Sequence, residues 1–295
     1  MSNAMFCGVG CALVTPFRNG RPDTDALKAL IDFQLENDTD ALAVCATTGE
    51  APTLTDGEMC AITETAALRA SGQVPVIAYA GSNSTKSAVL RAKRLASAGA
   101  DALLMVTPYY NKPNQEGLIA HFTEIADQSP LPIILYNVPS RTGVELETDT
   151  ALTLFKHPMI QGLKEATGNF DKIIDLIMHA GDGAYIYAGN DAMLLPMLAL
   201  GARGVISVTA NIAPREIRQM ITCTFSGDYE AAREIHNRLL PLTRALFSDV
   251  NPAPVKAALS MLGLIQEELR LPLTTLSKDK KNALSSLMEA YGFIP

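Results

Sequence analysis

Short apolar, β-branched runs recur along the chain at residues 10–15, 41–46, 74–78, 102–106, 132–135, 160–163, 185–188 and 204–208. Between most of them lie stretches with the 3.6-residue periodicity of amphipathic helices, such as 25–36, 56–70, 85–98, 115–128 and 146–155. The apolar runs start at intervals of roughly 20 to 33 residues, the length of a strand–helix repeat whose strands can pair in parallel. Unbroken apolarity within each run fits a sheet covered on both faces, since a half-exposed strand would alternate. Helix-start signals agree independently. Asp23-Thr24-Asp25 precedes the first helix, Thr55 stands three residues before Glu58, and Ser84-Thr85 precedes the third helix.

Eight such repeats predict an α/β protein, a closed (β/α)8 TIM barrel. An open doubly wound sheet is the rival, but no glycine-rich phosphate loop follows the first strand. The strand pattern stops near Pro214. Helical stretches follow at 214–225, 228–247, 254–264 and 278–291, separated by Ser226-Gly227, Asn251-Pro252 and Leu271-Pro272. The expected organisation is a barrel domain over residues 5–227 and a C-terminal helical appendage of three helices over 228–295. With about 65 residues the appendage is near the lower limit for an independent core, so it is expected to dock on the barrel or on a neighbouring subunit. Residues 1–4, ending before a second methionine at Met5, read as a cloning remnant.

Composition narrows the function. The formal charge is -7, from 24 basic and 31 acidic residues, which leaves no broad basic surface for nucleic acid. The longest apolar run, 193–202, is interrupted by Pro196 and Gly201 and is too short to span a bilayer. No basic-then-apolar leader opens the sequence, so the cytoplasm is the expected compartment. Five cysteines without a C-x-x-C pair argue for reduced thiols, and the four scattered histidines form no metal-ligand pair. Motifs for nucleotide cradling and serine hydrolysis are missing as well.

Candidate chemistry gathers where a barrel would converge, at the C-terminal ends of its strands. Lys164, in Gly162-Leu163-Lys164-Glu165-Ala166-Thr167, lies on a strand, with the small residues Gly162 and Ala166 on its own face. Burial disfavours an ammonium, and a neutral amine can attack a ketone to form a Schiff base. The competing reading is a structural lysine paired with Glu165 or another acid. Tyr136 and Tyr110 end the fifth and fourth strands, where their phenols can carry protons or simply form an amphipathic rim. Arg141, in the turn after the fifth strand, can hold a carboxylate bidentately or form a surface ion pair. Thr47-Thr48-Gly49-Glu50 offers hydroxyls and backbone N–H groups, either as an anion cradle or as a helix cap.

Five motifs in order carry a resemblance over nearly the whole chain. They are Thr47-Thr48-Gly49-Glu50, Thr107-Pro108-Tyr109-Tyr110-Asn111, the run from Tyr136-Asn137 to Arg141-Thr142-Gly143, Lys164-Glu165-Ala166-Thr167-Gly168, and the run from Gly204-Val205 to Ala210-Asn211. Together they resemble the dihydrodipicolinate synthase family, Schiff-base-forming aldolase-type lyases that use pyruvate. The resemblance implies that Lys164 condenses with pyruvate and that the resulting enamine attacks L-aspartate 4-semialdehyde, in diaminopimelate and lysine biosynthesis. It assigns proton transfer to Thr48, Tyr136 and Tyr110, with Tyr110 reaching a neighbouring subunit's site. Thr47 and the backbone at Ile206 would hold the pyruvate-derived part, and Arg141 the semialdehyde carboxylate. No metal or organic cofactor is implied, and the usual assembly is a homotetramer built as a dimer of dimers. Sister lyases of sialic acid or keto-deoxy sugar acids share the lysine and the fifth-strand tyrosine but usually differ around the arginine; an idle keto-acid-binding barrel is the non-enzymatic alternative.

Two departures stand out. Cys45-Ala46 precedes the threonine pair where the family usually has glycine, which removes no reacting group. Where lysine-sensing members place histidine or glutamate side chains, this chain has Pro52, Asp56, Met59 and Ser87, so the resemblance does not carry lysine inhibition with it.

Overall fold

Eight runs of almost wholly buried residues pair in parallel and close on themselves. The computed structural model describes residues 6–181 and 184–295, so the expected cloning remnant at residues 1–4 lies outside the described residues. The barrel strands are β1 (Gly8–Ala12), β2 (Ala41–Val44), β3 (Val76–Tyr79), β4 (Ala102–Val106), β5 (Ile133–Asn137), β6 (Ile160–Glu165), β7 (Tyr185–Ala188) and β8 (Gly204–Ser207). Closure is made by β1, which pairs β2 through Gly10 and Ala41 and pairs β8 through Gly8 and Gly204. Gly204 has φ +155, and a Cβ there would lie 2.0 Å from the Gly8 carbonyl oxygen, so only glycine lets the seam close.

The outer helices are α1 (Thr24–Glu36), α2 (Asp56–Ala70), α3 (Thr85–Ser97), α4 (Gln115–Gln128), the short α5 (Pro139–Thr142), α6 (Thr148–Leu154), α7 (Phe170–Ala180), α8 (Leu194–Ala199) and α9 (Pro214–Phe225). Their starts are chemically fixed. Asp23 accepts from the Ala26 N–H, Ser84 from the Ser87 N–H, and Thr55 forms a reciprocal capping box with Glu58. Strand β1 begins and ends earlier than its apolar run: the Leu13 N–H still donates to the Ala43 carbonyl of β2 at 2.9 Å, but the Val14 N–H donates to the Asn211 side chain instead.

Helices α10 (Tyr229–Ala245), α11 (Ala253–Met261) and α12 (Lys278–Ala290) follow. Helix α10 packs on α9, α12 packs on α10 and α11, and α11 is buried along nearly its whole length. Ala232, Leu242, Ala257 and Met288 belong to the same apolar cluster as the barrel's β-strands, so the appendage shares the barrel's core. A small hairpin, Phe17–Arg18 with Arg21–Pro22, turns through Asn19 and Gly20, both left-handed, and the Glu268 carboxylate accepts from both of their N–H groups.

Candidate active site

Strand alternation sends Lys164 and Glu165 to opposite sides of β6. Glu165 is buried between β6 and α7, where it accepts from Asn137 Nδ2 at 2.9 Å and from the Thr167 N–H at 2.6 Å, and pairs with Lys172 at 3.4 Å. Glu145 joins the same cluster by accepting from Asn137 at 2.8 Å and pairing with Lys172. Glu165 thus has its own cation, and among the described residues Lys164 has no carboxylate within salt-bridge distance. The Lys164 ammonium lies 4.6 Å from the centroid of the Tyr136 ring, its neighbour across the β5–β6 register. Only 4% of the residue is exposed.

Burial is the main influence on this amine and lowers its pKa to about 8; buried Asp191 pulls the other way and Arg141 adds to the lowering. Asp191 is fixed at the end of β7 by Ser207 and by the Val208 N–H at 3.1 Å, and burial raises its own pKa. A depressed lysine pKa means that the neutral, nucleophilic form grows as pH passes through about 8, whereas an ordinary lysine waits until about 10.4. An NMR titration of ε-13C-labelled lysine is expected to show one resonance, lost in Lys164→Ala, with its inflection near pH 8. An inflection for Lys164 in the ordinary lysine range would contradict the desolvation argument.

The turn after β2 brings the threonines to this amine. Cys45 and Glu50, with φ of 56° and 57°, bracket it as two non-glycine residues in the left-handed region; each such residue costs about 1–3 kcal/mol and persists only where its surroundings hold it. Gly49 fits closely between them: a Cβ there would lie 3.1 Å from the Cys45 backbone and from Thr15 Oγ1, so any side chain would push the turn by a few tenths of an ångström. Ala46 has no positive φ, so its methyl is accommodated without strain. The Thr15 hydroxyl donates to the Gly49 carbonyl at 2.8 Å, and Asn251 Nδ2 donates to Thr48 Oγ1 at 3.0 Å. Accepting that bond leaves the Thr48 hydroxyl proton free to point into the cavity.

A cavity of about 340 Å3 at the mouth is lined by Lys164, Tyr136, Thr47, Thr48 and Arg141, together with Ala166 and Gly189. Tyr136 is buried, and burial raises its phenol pKa, so it remains a proton donor at neutral pH. Arg141 projects from α5, whose end is set by left-handed Gly143, and Arg141 also lines a neighbouring cavity beside Tyr109 and Arg91. Two of the expected residues are not at this cavity. Ile206 is fully buried in β8, paired with Gly10, and Val208 is the β8-end residue that lines the space. Tyr110 is 89% exposed, has φ +73, and does not line its own chain's cavity.

Four further lining residues, Thr243, Arg244, Phe247 and Asn251, come from α10 and the segment after it. No periodicity or motif could have placed them, since they reach the mouth only because the appendage docks there. Among the described residues no group of three or more His, Cys, Asp or Glu side chains is placed to hold a metal ion, and all five cysteines are free thiols.

A parallel barrel with a desolvated, unpaired lysine amine at its C-terminal mouth, ringed by hydroxyls and a guanidinium, defines a lyase that works on carbonyl acids through an amine. Comparison with known proteins gives the family. A profile of the dihydrodipicolinate synthetase family matches residues 5–291, and the chain belongs to that family. The 4-hydroxy-tetrahydrodipicolinate synthase of Pelobacter propionicus is 45% identical over 98% of this chain and 100% of its own. The crystal structure of dihydrodipicolinate synthase from Aquifex aeolicus superimposes with a TM-score of 0.96 at 45% identity, covering 98% of this chain and 99% of its own. A monomeric dihydrodipicolinate synthase variant superimposes with a TM-score of 0.97 at 40% identity, covering 98% of each chain. The chain is an enzyme of this lyase family.

Proposed function

We propose that the enzyme is a 4-hydroxy-tetrahydrodipicolinate synthase, condensing pyruvate with L-aspartate 4-semialdehyde in the diaminopimelate and lysine biosynthetic pathway. The observation that carries this reading is Lys164, buried and without a carboxylate partner, beside the Tyr136 ring and the Thr47-Thr48 turn. Neutral Lys164 Nζ attacks C2 of pyruvate, and loss of water gives an imine. Removal of a C3 proton gives the enamine, whose C3 attacks the aldehyde carbon of the second substrate. That substrate's own amine then adds to C2, closes the ring and expels the lysine. Each step moves a proton, the task suited to Thr48, Tyr136 and Tyr110. Thr47 would hold the pyruvate-derived part and Arg141 the semialdehyde carboxylate; the Ile206 backbone, expected to share the first of these roles, does not line the cavity. The 45% identity to a synthase over the full chain favours this reading over a sugar-acid aldolase or an idle keto-acid-binding barrel. A coupled assay tests it: turnover of pyruvate with aspartate semialdehyde is expected, and turnover of a sugar acid without turnover of this pair would overturn it.

A homotetramer built as a dimer of dimers, with Tyr110 delivered to the neighbouring site, follows the same reading. The exposed, left-handed Tyr110, absent from its own cavity, supports it. Lys164→Ala and Tyr110→Phe subunits, each nearly inactive alone, are expected to regain about a quarter of wild-type activity when refolded together, because half the dimers then hold one intact site. No regained activity would contradict a shared site.

Insensitivity to L-lysine also belongs to this reading. Asp56 is occupied by Arg91 at 3.0 Å and Arg94 at 2.7 Å, Met59 is buried, and the cavity containing Pro52 and Tyr109 presents a guanidinium, which repels a cationic effector; Ser87 supplies no carboxylate to compensate. Half-inhibition below about 1 mM lysine would contradict it.

A cytoplasmic location accords with the bacterial biosynthetic relatives, and no helix among the described residues is long and apolar enough to cross a membrane. A boundary at residues 227/228 between barrel and appendage is supported by the turn at Gly227 ahead of α10.

A further inference from the structure

Glu50 closes the threonine turn but faces away from the cavity. Its N–H donates to the Thr47 carbonyl at 3.1 Å, its carbonyl accepts from the Thr53 N–H at 3.0 Å, and its φ is 57°. The carboxylate, only 1% exposed as a residue, meets two groups from the C-terminal appendage: Lys256 Nζ of α11 at 2.5 Å and the Arg270 N–H at 3.0 Å. Lys256 is fully buried. Its ammonium also donates to the Glu268 carbonyl at 2.8 Å and stands 4.1 Å from the centroid of the Phe17 ring. The Arg270 guanidinium lies 4.5 Å from the same ring and donates to the Thr53 carbonyl at 2.7 Å. A cation of the appendage is therefore anchored on three sides and aimed at the residue that ends the turn.

We propose that Lys256 and Glu50 are a positioning pair through which the C-terminal appendage holds Thr47 and Thr48 in register with Lys164. The inference rests on the proposed function, because it gives the pair a purpose in that reaction. Stability alone does not explain the pair. Two fully desolvated charges gain little over apolar groups of the same size, since their attraction is spent on the lost hydration. What the pair supplies is direction. A carboxylate gripped by a fixed ammonium and a backbone N–H permits one orientation of Glu50, and that orientation keeps a left-handed residue in place at the end of the turn. Thr48 then has its hydroxyl where Asn251 meets it. A proton relay tolerates little error, since a displacement of about 1 Å can cost about a hundredfold in rate.

The test is the double variant Glu50→Gln/Lys256→Met, which removes both charges while keeping an acceptor for the Arg270 N–H. It is expected to fold with a Tm close to that of the wild type and to lose about ten- to a hundredfold in kcat, with a smaller rise in the KM for pyruvate through Thr47. Glu50→Gln/Lys256→Gln, which restores a side-chain donor toward position 50 and the Glu268 carbonyl without stranding a buried charge, is expected to recover most of that loss. A Glu50→Gln/Lys256→Met variant with kcat within threefold of wild type, or one whose activity falls only in step with its unfolded fraction, would overturn the positioning role. Wild-type inactivity on the substrate pair would overturn the proposed function instead. The rate of borohydride-trapped imine formation with pyruvate alone makes the same comparison between variant and wild type without the second substrate, with the same expected loss.

Discussion

Lys164→Ala is expected to lower kcat by at least about a thousandfold while the protein remains folded, because a covalent nucleophile acts as a unit with the groups around it. The fold should survive because Lys164 leaves no stranded partner: Glu165 pairs with Lys172 on the far side of β6, and Asp191, the acid that favours the ammonium, keeps its bonds from Ser207 and the Val208 N–H. Removing a buried ammonium also removes a desolvation cost, so thermal stability should fall little. Lys164→Arg is expected to be as inactive, since a guanidinium stays protonated and cannot form the carbon–nitrogen double bond. Circular dichroism and Tm would verify folding alongside the assay. Residual activity of the alanine variant above about one per cent, with the fold intact, would remove Lys164 from the mechanism.

Tyr136→Phe is expected to cost about a hundred- to ten-thousandfold in kcat, the range for a positioned general acid–base. The ring would stay, keeping its place in the core and its 4.6 Å contact with the lysine amine, so only the hydroxyl is tested. Burial holds that hydroxyl protonated across the working range, with Thr47 and Arg141 acting in the opposite sense. The KM for pyruvate should therefore move far less than kcat, and the trapped adduct should still form, more slowly. A phenylalanine variant with raised KM and unchanged kcat would make Tyr136 a binding residue. One with neither altered would make it the amphipathic rim residue that strand-end aromatics often are.

The barrel was legible because its evidence is repetitive. Each strand had to be apolar on both faces, and each helix carried its own start, as at Asp23, Thr55 and Ser84. The small hairpin at Phe17–Arg18 escaped because two-residue strands are too short for any period, although Asn19-Gly20 is a hairpin turn pair. At the site, Lys164 could be read from its strand, its small neighbours and alternation, and the threonines, Tyr136 and Arg141 from their positions after strands. What sequence could not supply is long-range docking. Asn251, which meets Thr48 across more than two hundred residues, and Lys256, which meets Glu50, lie in a helical region whose pattern says only that helices form. The fate of Glu165 was likewise undecidable until α7 brought Lys172 beneath it.

The most direct measurement is peptide mass spectrometry after incubation with pyruvate and borohydride. If a neutral amine at the barrel mouth attacks the keto group, reduction fixes one carboxyethyl group per chain, on the peptide containing Lys164 and nowhere else. An unmodified Lys164 in folded protein, or an adduct on a different lysine, would contradict the account.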